Sequence, residues 1–354
     1  MAIAEISLAV EPPAPEVDGP VDGLGHTRRR PWRLVGSYLG TLFFLVNVNF
    51  WLPRLLPGNP IKILTGGASA GRGGQSVAAS TRASLTRYYG LDQSLWAQYR
   101  HYLGALARGD LGTSIRYNSP VSHLMWDRGK WTLLLAFAGV AMSCVVSLVA
   151  GIHSGWRRGR RVDRGLFVAM SLVSHFPSYV LAFFAVIVFG VKLHWLPIGG
   201  AQTPFVNYGV LARVLDITRH LVLPGLTVAL SFAFIQYLVM RGGMVSELGS
   251  DHLLGGRAMG LSERRLKYRY AARNSLLPVA TEIAVDLGVA VSVVSFFIER
   301  VFAYPGIGGL MFGSIYILDY PVMQGCFLAV AVFVLSVNLL AELAYPRLDP
   351  RVKL

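Results

Sequence analysis

Apolar positions in this chain are gathered into long runs rather than spread at the spacing of a soluble core. Asp, Glu, Lys and Arg are absent from residues 34–53, 131–156, 165–191, 220–240 and 320–341. A further apolar run, 276–298, is interrupted only by Glu282 and Asp286. Each run is near or above the roughly 20 residues that a helix needs to cross about 30 Å of hydrocarbon. The pattern predicts an all-α polytopic membrane protein with six transmembrane helices. Between the first two runs, Leu91, Leu95, Trp96, Tyr99, Tyr102, Leu103 and Leu106 recur at helical spacing. They predict short amphipathic helices over 84–108, their aromatic stripe packed on the spans.

Charge orients these spans. Arg28, Arg29, Arg30 and Arg33 precede the first run, and Arg157, Arg158, Arg160, Arg161 and Arg164 follow the second. The segment after the fourth run and the tail with Arg347, Arg351 and Lys353 are basic too, whereas 192–219 and 299–321 are poor in Lys and Arg. Short loops rich in Lys and Arg stay in the cytoplasm, and a loop longer than about 60 residues, such as 54–130, crosses regardless of charge. Both termini are therefore expected inside. Residues 1–33 form a disordered cytoplasmic extension in this reading, and 34–345 a six-span membrane domain with an outer segment at 57–129. A cytoplasmic loop at 241–275 and a cytoplasmic tail at 346–354 complete the plan.

Composition agrees with lipid as the main partner. The charged fraction is 15% and mean hydropathy is +0.49, against about 25% charged residues in soluble domains. The net charge of +14 follows from sorting of basic loops and their attraction to anionic headgroups, with no nucleic-acid motif to call for another partner. Cys144 and Cys326 fall inside apolar runs, where cysteine behaves as a small hydrophobe. Catalytic motifs are missing: there is no H-E-x-x-H, C-x-x-C, G-x-S-x-G or Walker A sequence. No enzymatic centre, metal site or cofactor of its own is expected. Ser171 or Ser174 beside His175 would be the weak basis for an intramembrane hydrolase.

Three ionisable residues sit within the runs and are candidates for a translocation path: His175, Glu282 and Asp286. Glu282 and Asp286 lie at i and i+4, hence on one helix face, and such residues usually face a bundle interior or a wet cavity. The alternatives are an acidic path lining and a hydrogen bond to a neighbouring helix. His175 is a packing or pore-lining residue.

The stretch "GGRAMGLSERRLKYRYAARNSLLP", residues 255–278, is the odd one out. It carries Arg257, Arg264, Arg265, Lys267, Arg269 and Arg273 against one acid, Glu263. A first short helix is expected within 246–262, broken near Gly255, Gly256 and Gly260, and a second over 263–276. The pair is too polar for lipid and suits docking to a soluble cytoplasmic protein.

The stretch "GRAMGLSERRLKYRYAARNSLLPVAT" resembles the cytoplasmic loop of permease subunits of binding-protein-dependent ABC importers, in the oligopeptide, dipeptide and nickel branch. "LPGNP", "YGLDQSLWAQYRHYLGALARGDLGTSI", "WLPIGG", "HLVLPGLTVAL", "ERVFAYPGIGGLMFGSI", "DYPVMQG" and "LDPRVKL" resemble the same branch in the expected order. The resemblance implies a type I importer fold in the bacterial inner membrane, with a second permease subunit beside it. It also implies two cytoplasmic ATPases (or one fused pair) carrying ATP and Mg, and an extracytoplasmic binding protein. Peptides are the implied substrate, ahead of nickel chelates or another small solute. A stand-alone secondary transporter is the rival class. Residues 251–262 then supply a coupling helix, with Leu254, Gly255, Gly256, Arg257, Ala258, Met259, Gly260, Leu261 and Ser262 as its motif. Leu254-Gly255-Gly256 stands where the family usually has an acid and two alanines, Met259 where it has a basic residue, and Tyr270 where histidine is common. Glycine costs about 1 kcal/mol relative to alanine within a helix, so a short docking helix is expected.

Overall fold

The computed structural model describes residues 31–55, 86, 87, 90 and 92–348. Residues 1–30 of the N-terminal extension, "LPGNP", the glycine-rich 65–80 stretch and most of "LDPRVKL" lie outside the described residues, while 31–33, expected in that extension, begin the first helix.

The described chain is helical throughout. The elements are α1 (Pro31–Leu55), α2 (Leu95–Ala107), α3 (Val121–Trp156), α4 (Arg161–Ser174) and α5 (Ser178–Lys192). They continue with α6 (Val210–Glu247), α7 (Asp251–Ala258), α8 (Glu263–Val301), α9 (Ile307–Ile317) and α10 (Tyr320–Leu348). Five of them, α1, α3, α6, α8 and α10, are long and apolar enough to cross a membrane. The sixth expected span, 165–191, is a bent pair: α4 and α5 meet at 100°. Pro177 explains the break, since proline lacks an amide donor and disfavours helical geometry in the residue before it.

The centre of the bundle is α3 against α6, with α8 on both. Small residues let these backbones close up, as expected where lipid supplies no hydrophobic drive between helices. A Cβ at Gly139 would lie 2.4 Å from Val228 Cγ1, and one at Gly155 would lie 2.4 Å from Met244 Cβ. Bulky apolar side chains on the spans, such as Phe43, Phe44 and Phe183, instead point outward, where lipid or another subunit covers them.

The aromatic stripe expected over 84–108 packs on the spans only in part: Leu95 and Trp96 stay exposed, and Leu91 lies outside the described residues. In α2, Tyr99 donates to Asn47 Oδ1 at 2.5 Å, and both Tyr99 and Tyr102 lie about one ring width from Phe50, at 5.0 and 5.5 Å between centroids. This ties α2 to the end of α1. At that end, Asp319 before α10 accepts from Ser114 Oγ (2.6 Å) and from the amides of Ile115 and Arg116 (3.3 and 3.2 Å). The "GTSI" and "DYP" segments, some 200 residues apart in sequence, are thus one hydrogen-bonded corner.

A second corner forms around "ERVFAYPGIGG". Buried Glu299, at the end of α8, accepts from Thr132 Oγ1 on α3 and from the amide of Gly308 at 2.7 Å. Thr132 Oγ1 in turn accepts from the amide of Ile307 at 2.9 Å. Together they satisfy the first amides of α9, which would otherwise be orphaned at a helix N-terminus. A carboxylate there also suits the helix dipole. The "WLPIGG" segment closes on the same loop through a bond from the Gly200 amide to Phe302 O at 2.9 Å.

Candidate functional site

The loop between α6 and α8 stands on a built foundation. Arg241, near the end of α6, makes a two-point ion pair with Asp163 at the start of α4, Nε to Oδ1 at 2.7 Å and Nη2 to Oδ2 at 2.9 Å. Ser154 Oγ on α3 donates to the same carboxylate and lies 2.7 Å from Tyr237 OH. The Gly159 amide donates to Oδ2 at 2.8 Å. Three helices, α3, α4 and α6, and the turn at Gly159 are therefore fixed at one carboxylate. Sequence reasoning missed Asp163, although it is the one acid in the arginine-rich stretch 157–164.

On this base lies α7, a two-turn helix. Leu253 is fully buried among Met240, Met244, Leu266 and Ala271. Gly256 faces the same way, and a Cβ there would lie 2.6 Å from Leu266 Cδ2. The glycine that departs from the family pattern thus makes room for Leu266. Gly255, by contrast, has open space around its Cα. The opposite face carries Leu254 and Met259, 67% and 73% exposed, with Arg257 and Ala258 exposed beside them. Arg257 donates to Glu263 Oε1 at 3.1 Å, and its guanidinium stands 6.0 Å from the Trp156 ring.

The helix ends by a defined device. The Gly260 amide bonds to Arg257 O at 2.9 Å and the Leu261 amide to Gly256 O at 3.0 Å, with Gly260 at φ +74°. This pair of bonds closing on a left-handed glycine is the Schellman motif. Ser262 then caps the next helix, accepting from the Arg265 amide at 3.4 Å. Two expectations are corrected here. The first helix, expected within 246–262, spans only Asp251–Ala258; it stops at Gly260, one of the expected breaks, but continues through Gly255 and Gly256 without one. The expected second helix over 263–276 has no end of its own either. It is the first part of α8, which runs on through Pro278 into the membrane span.

Of the three candidate path residues, Glu282 and Asp286 are neighbours one turn apart on α8, and His175 lies on another element, at the bend after α4. Asp286 is 7% exposed and accepts from Gln236 Nε2 at 2.7 Å. Gln236 Oε1 accepts from Ser143 and Ser147 at 3.1 and 2.9 Å. Of the two alternatives set out for it, Asp286 has the hydrogen bond to a neighbouring helix. Glu282, one turn earlier, is half-buried and makes no hydrogen bond or ion pair among the described residues. His175 stands exposed at the bend between α4 and α5, its Nδ1 2.5 Å from Ser171 O. Asp286→Asn keeps an acceptor for Gln236 and should leave the unfolding temperature nearly unchanged. Asp286→Leu orphans the buried amide, at a cost of about 1–3 kcal/mol, and should lower it clearly in a thermal unfolding series.

A bundle of membrane helices with a basic loop that presents a short, apolar-faced helix defines a multi-pass membrane permease. The chain belongs to the family described as binding-protein-dependent transport system inner membrane component, which matches residues 147–354. It is 36% identical over 316 residues to a protein of Brucella suis biovar 1 provisionally named a peptide permease, covering 89% of this chain and 96% of that one. It is 30% identical to the dipeptide transport system permease protein of Alkalihalophilus pseudofirmus, over 93% of this chain and 99% of that one. It is 29% identical to the oligopeptide transport system permease protein of Bacillus subtilis, over 86% of this chain and 93% of that one. The chain is accordingly a membrane-spanning ABC importer permease subunit and not itself the catalytic enzyme.

Proposed function

We propose that this subunit imports small peptides delivered by an extracytoplasmic binding protein, and that it couples the import to ATP through α7. The observation that carries the coupling is the exposed apolar pair Leu254 and Met259 on a helix whose other face is locked into the bundle. An exposed apolar patch on an otherwise basic loop is suited to a protein partner. The substrate class rests on the dipeptide and oligopeptide systems that the relatives serve. A second permease subunit completes the path, and two cytoplasmic ATPases carry ATP and its magnesium. Coupling requires that these ATPases hold the loop differently in their two states, since equal affinity shifts nothing.

The test is uptake of a labelled dipeptide into proteoliposomes holding the subunit with its partner permease and ATPases. Uptake should require ATP and the binding protein. Uptake of a nickel chelate but not of dipeptides would overturn the peptide assignment, and uptake without the ATPases would point to a secondary transporter.

In the same reading, the 241–275 loop and both termini face the cytoplasm. Single cysteines at Asn207 and Gly313 should react with a membrane-impermeant maleimide added outside sealed cells, and one at Ser262 should not. Labelling at 262 from outside would reverse the orientation.

A further inference from the structure

At the end of the bundle away from the 241–275 loop, a cavity of about 420 Å³ opens between the end of α1, α2, the 110–115 turn and the start of α10. Its depth in the membrane is set by sequence. The charge-free run of α1 stops at Pro53 and that of α10 begins at Tyr320. Arg54 and Tyr320, 5.7 Å apart from guanidinium carbon to ring centre, therefore stand where hydrocarbon gives way to water.

The charge in this cavity is unbalanced. Arg54 is part-buried, with its guanidinium 3.6 Å above the Phe50 ring. Its Nε and Nη2 donate to Gln98 Oε1 at 3.3 and 3.0 Å, and its Nη1 donates to Phe50 O at 2.8 Å. These bonds engage three of five guanidinium N–H groups, and every acceptor is neutral. Arg87 and His101 join Arg54 in the wall, and none of the three forms an ion pair among the described residues. The one carboxylate of the lining, Asp110, is turned into its own loop, accepting from the Gly112 amide at 2.8 Å. A cation withdrawn from water without a counter-charge is costly unless an anion pairs with it.

Beyond the cations the wall is mixed: Gln93, Thr113 and Gln324 line it together with Leu106, Leu111 and Leu328. Leu328 lies eight residues, about 12 Å, along α10 from Tyr320, so the apolar part reaches toward the hydrocarbon. A cationic mouth at the interface with leucines leading inward fits an amphiphile better than a free ion. We propose that this cavity binds one anionic phospholipid, its phosphate on Arg54 and Arg87 and an acyl chain along Leu328. The guanidinium fork suits a phosphate, with paired N–H groups and a fixed positive charge.

The test uses the assembled transporter, delipidated in detergent and then given phosphatidylglycerol, phosphatidylcholine or inorganic phosphate. Native mass spectrometry reads the lipid retained, and thermal unfolding reads its effect. One phosphatidylglycerol should stay bound at this chain and raise its unfolding temperature, with phosphatidylcholine weaker. Arg54→Gln should weaken phosphatidylglycerol binding about tenfold or more, the loss of one charge-assisted contact. Because Arg54 also holds Gln98 and Phe50, the exposed Arg87→Gln is the second variant. It should weaken binding severalfold with no change in the lipid-free unfolding temperature. Equal retention of the two lipids, unchanged affinity in either variant, or full protection by inorganic phosphate alone would overturn the assignment.

Discussion

Leu254→Asp combined with Met259→Asp abolishes ATP-driven uptake while the subunit still inserts, folds and pairs with its partner permease. Both side chains are mostly in water in the isolated subunit, so its own fold loses little when they become charged. On docking, each would be removed from solvent, a gain of about 1.5–3 kcal/mol for a large apolar side chain. Replacing that with a buried unpaired carboxylate reverses the sign. The expected outcome is at least a hundredfold weaker co-purification of the ATPases and a matching loss of substrate-stimulated ATP hydrolysis. If 255–273 were instead a basic stretch lying on anionic lipid, effects would follow total charge at about 1 kcal/mol per residue. Removing Arg264 and Arg265 would then hurt as much as the double aspartate variant. Full ATPase recruitment by the double variant ends the docking interpretation. Gly260→Pro belongs to the same series. Proline holds φ near −65° and cannot adopt the +74° that the stop requires, so α7 would lose its closing turn.

The second large effect is expected at Gly306. A Cβ there would fall 2.0 Å from Glu299 Oε1, so Gly306→Val must push the Glu299 carboxylate out of its place. The Gly308 amide and the Thr132 hydroxyl would then be left buried without their partner, at about 1–3 kcal/mol each. Against a total stability of about 5–15 kcal/mol for a typical domain, that is enough to lower folded yield severalfold on size-exclusion chromatography. Gly313→Ala in the same helix meets nothing within 4 Å and should be silent. Glu299→Gln, which keeps an acceptor, should fall between them. A Gly306→Val protein with wild-type yield and unfolding temperature would show that this corner does not support the fold.

The spans were legible because hydropathy reports the solvent directly: a charge-free run has few stable places outside lipid or a core. The loop at 241–275 was legible for the converse reason, since seven Lys and Arg residues between two apolar runs cannot enter hydrocarbon. What escaped the sequence is partnership across distance. Nothing local to Glu299 announces Thr132, which lies 167 positions earlier, and nothing near Asp163 announces Arg241. The partner of Asp286 escaped because its helical face was known and its neighbour was not; Gln236, polar and inside an apolar run, was the overlooked cue. The bend at Pro177 was misjudged because a count of charges does not register a missing amide. Gly255 and Gly256 were taken for breaks like Gly260, since a glycine within a helix and one that ends it look alike until φ is known.

The continuity of α8 has a mechanical consequence. Its 39 residues make a rod about 58 Å long at 1.5 Å per residue, with Leu266, the side chain that seats α7, near one end and Glu299 near the other. The wider π turns at Leu266–Ala271 and Val294–Ile298 fall close to these two ends, leaving regular α-helix between them. A tilt of about 5° about one end would carry the other about 5 Å sideways, taking that rise per residue. In the proposed coupling, a push on α7 reaches the Glu299 corner through this one helix, whose hydrogen-bond ladder is interrupted at Pro278.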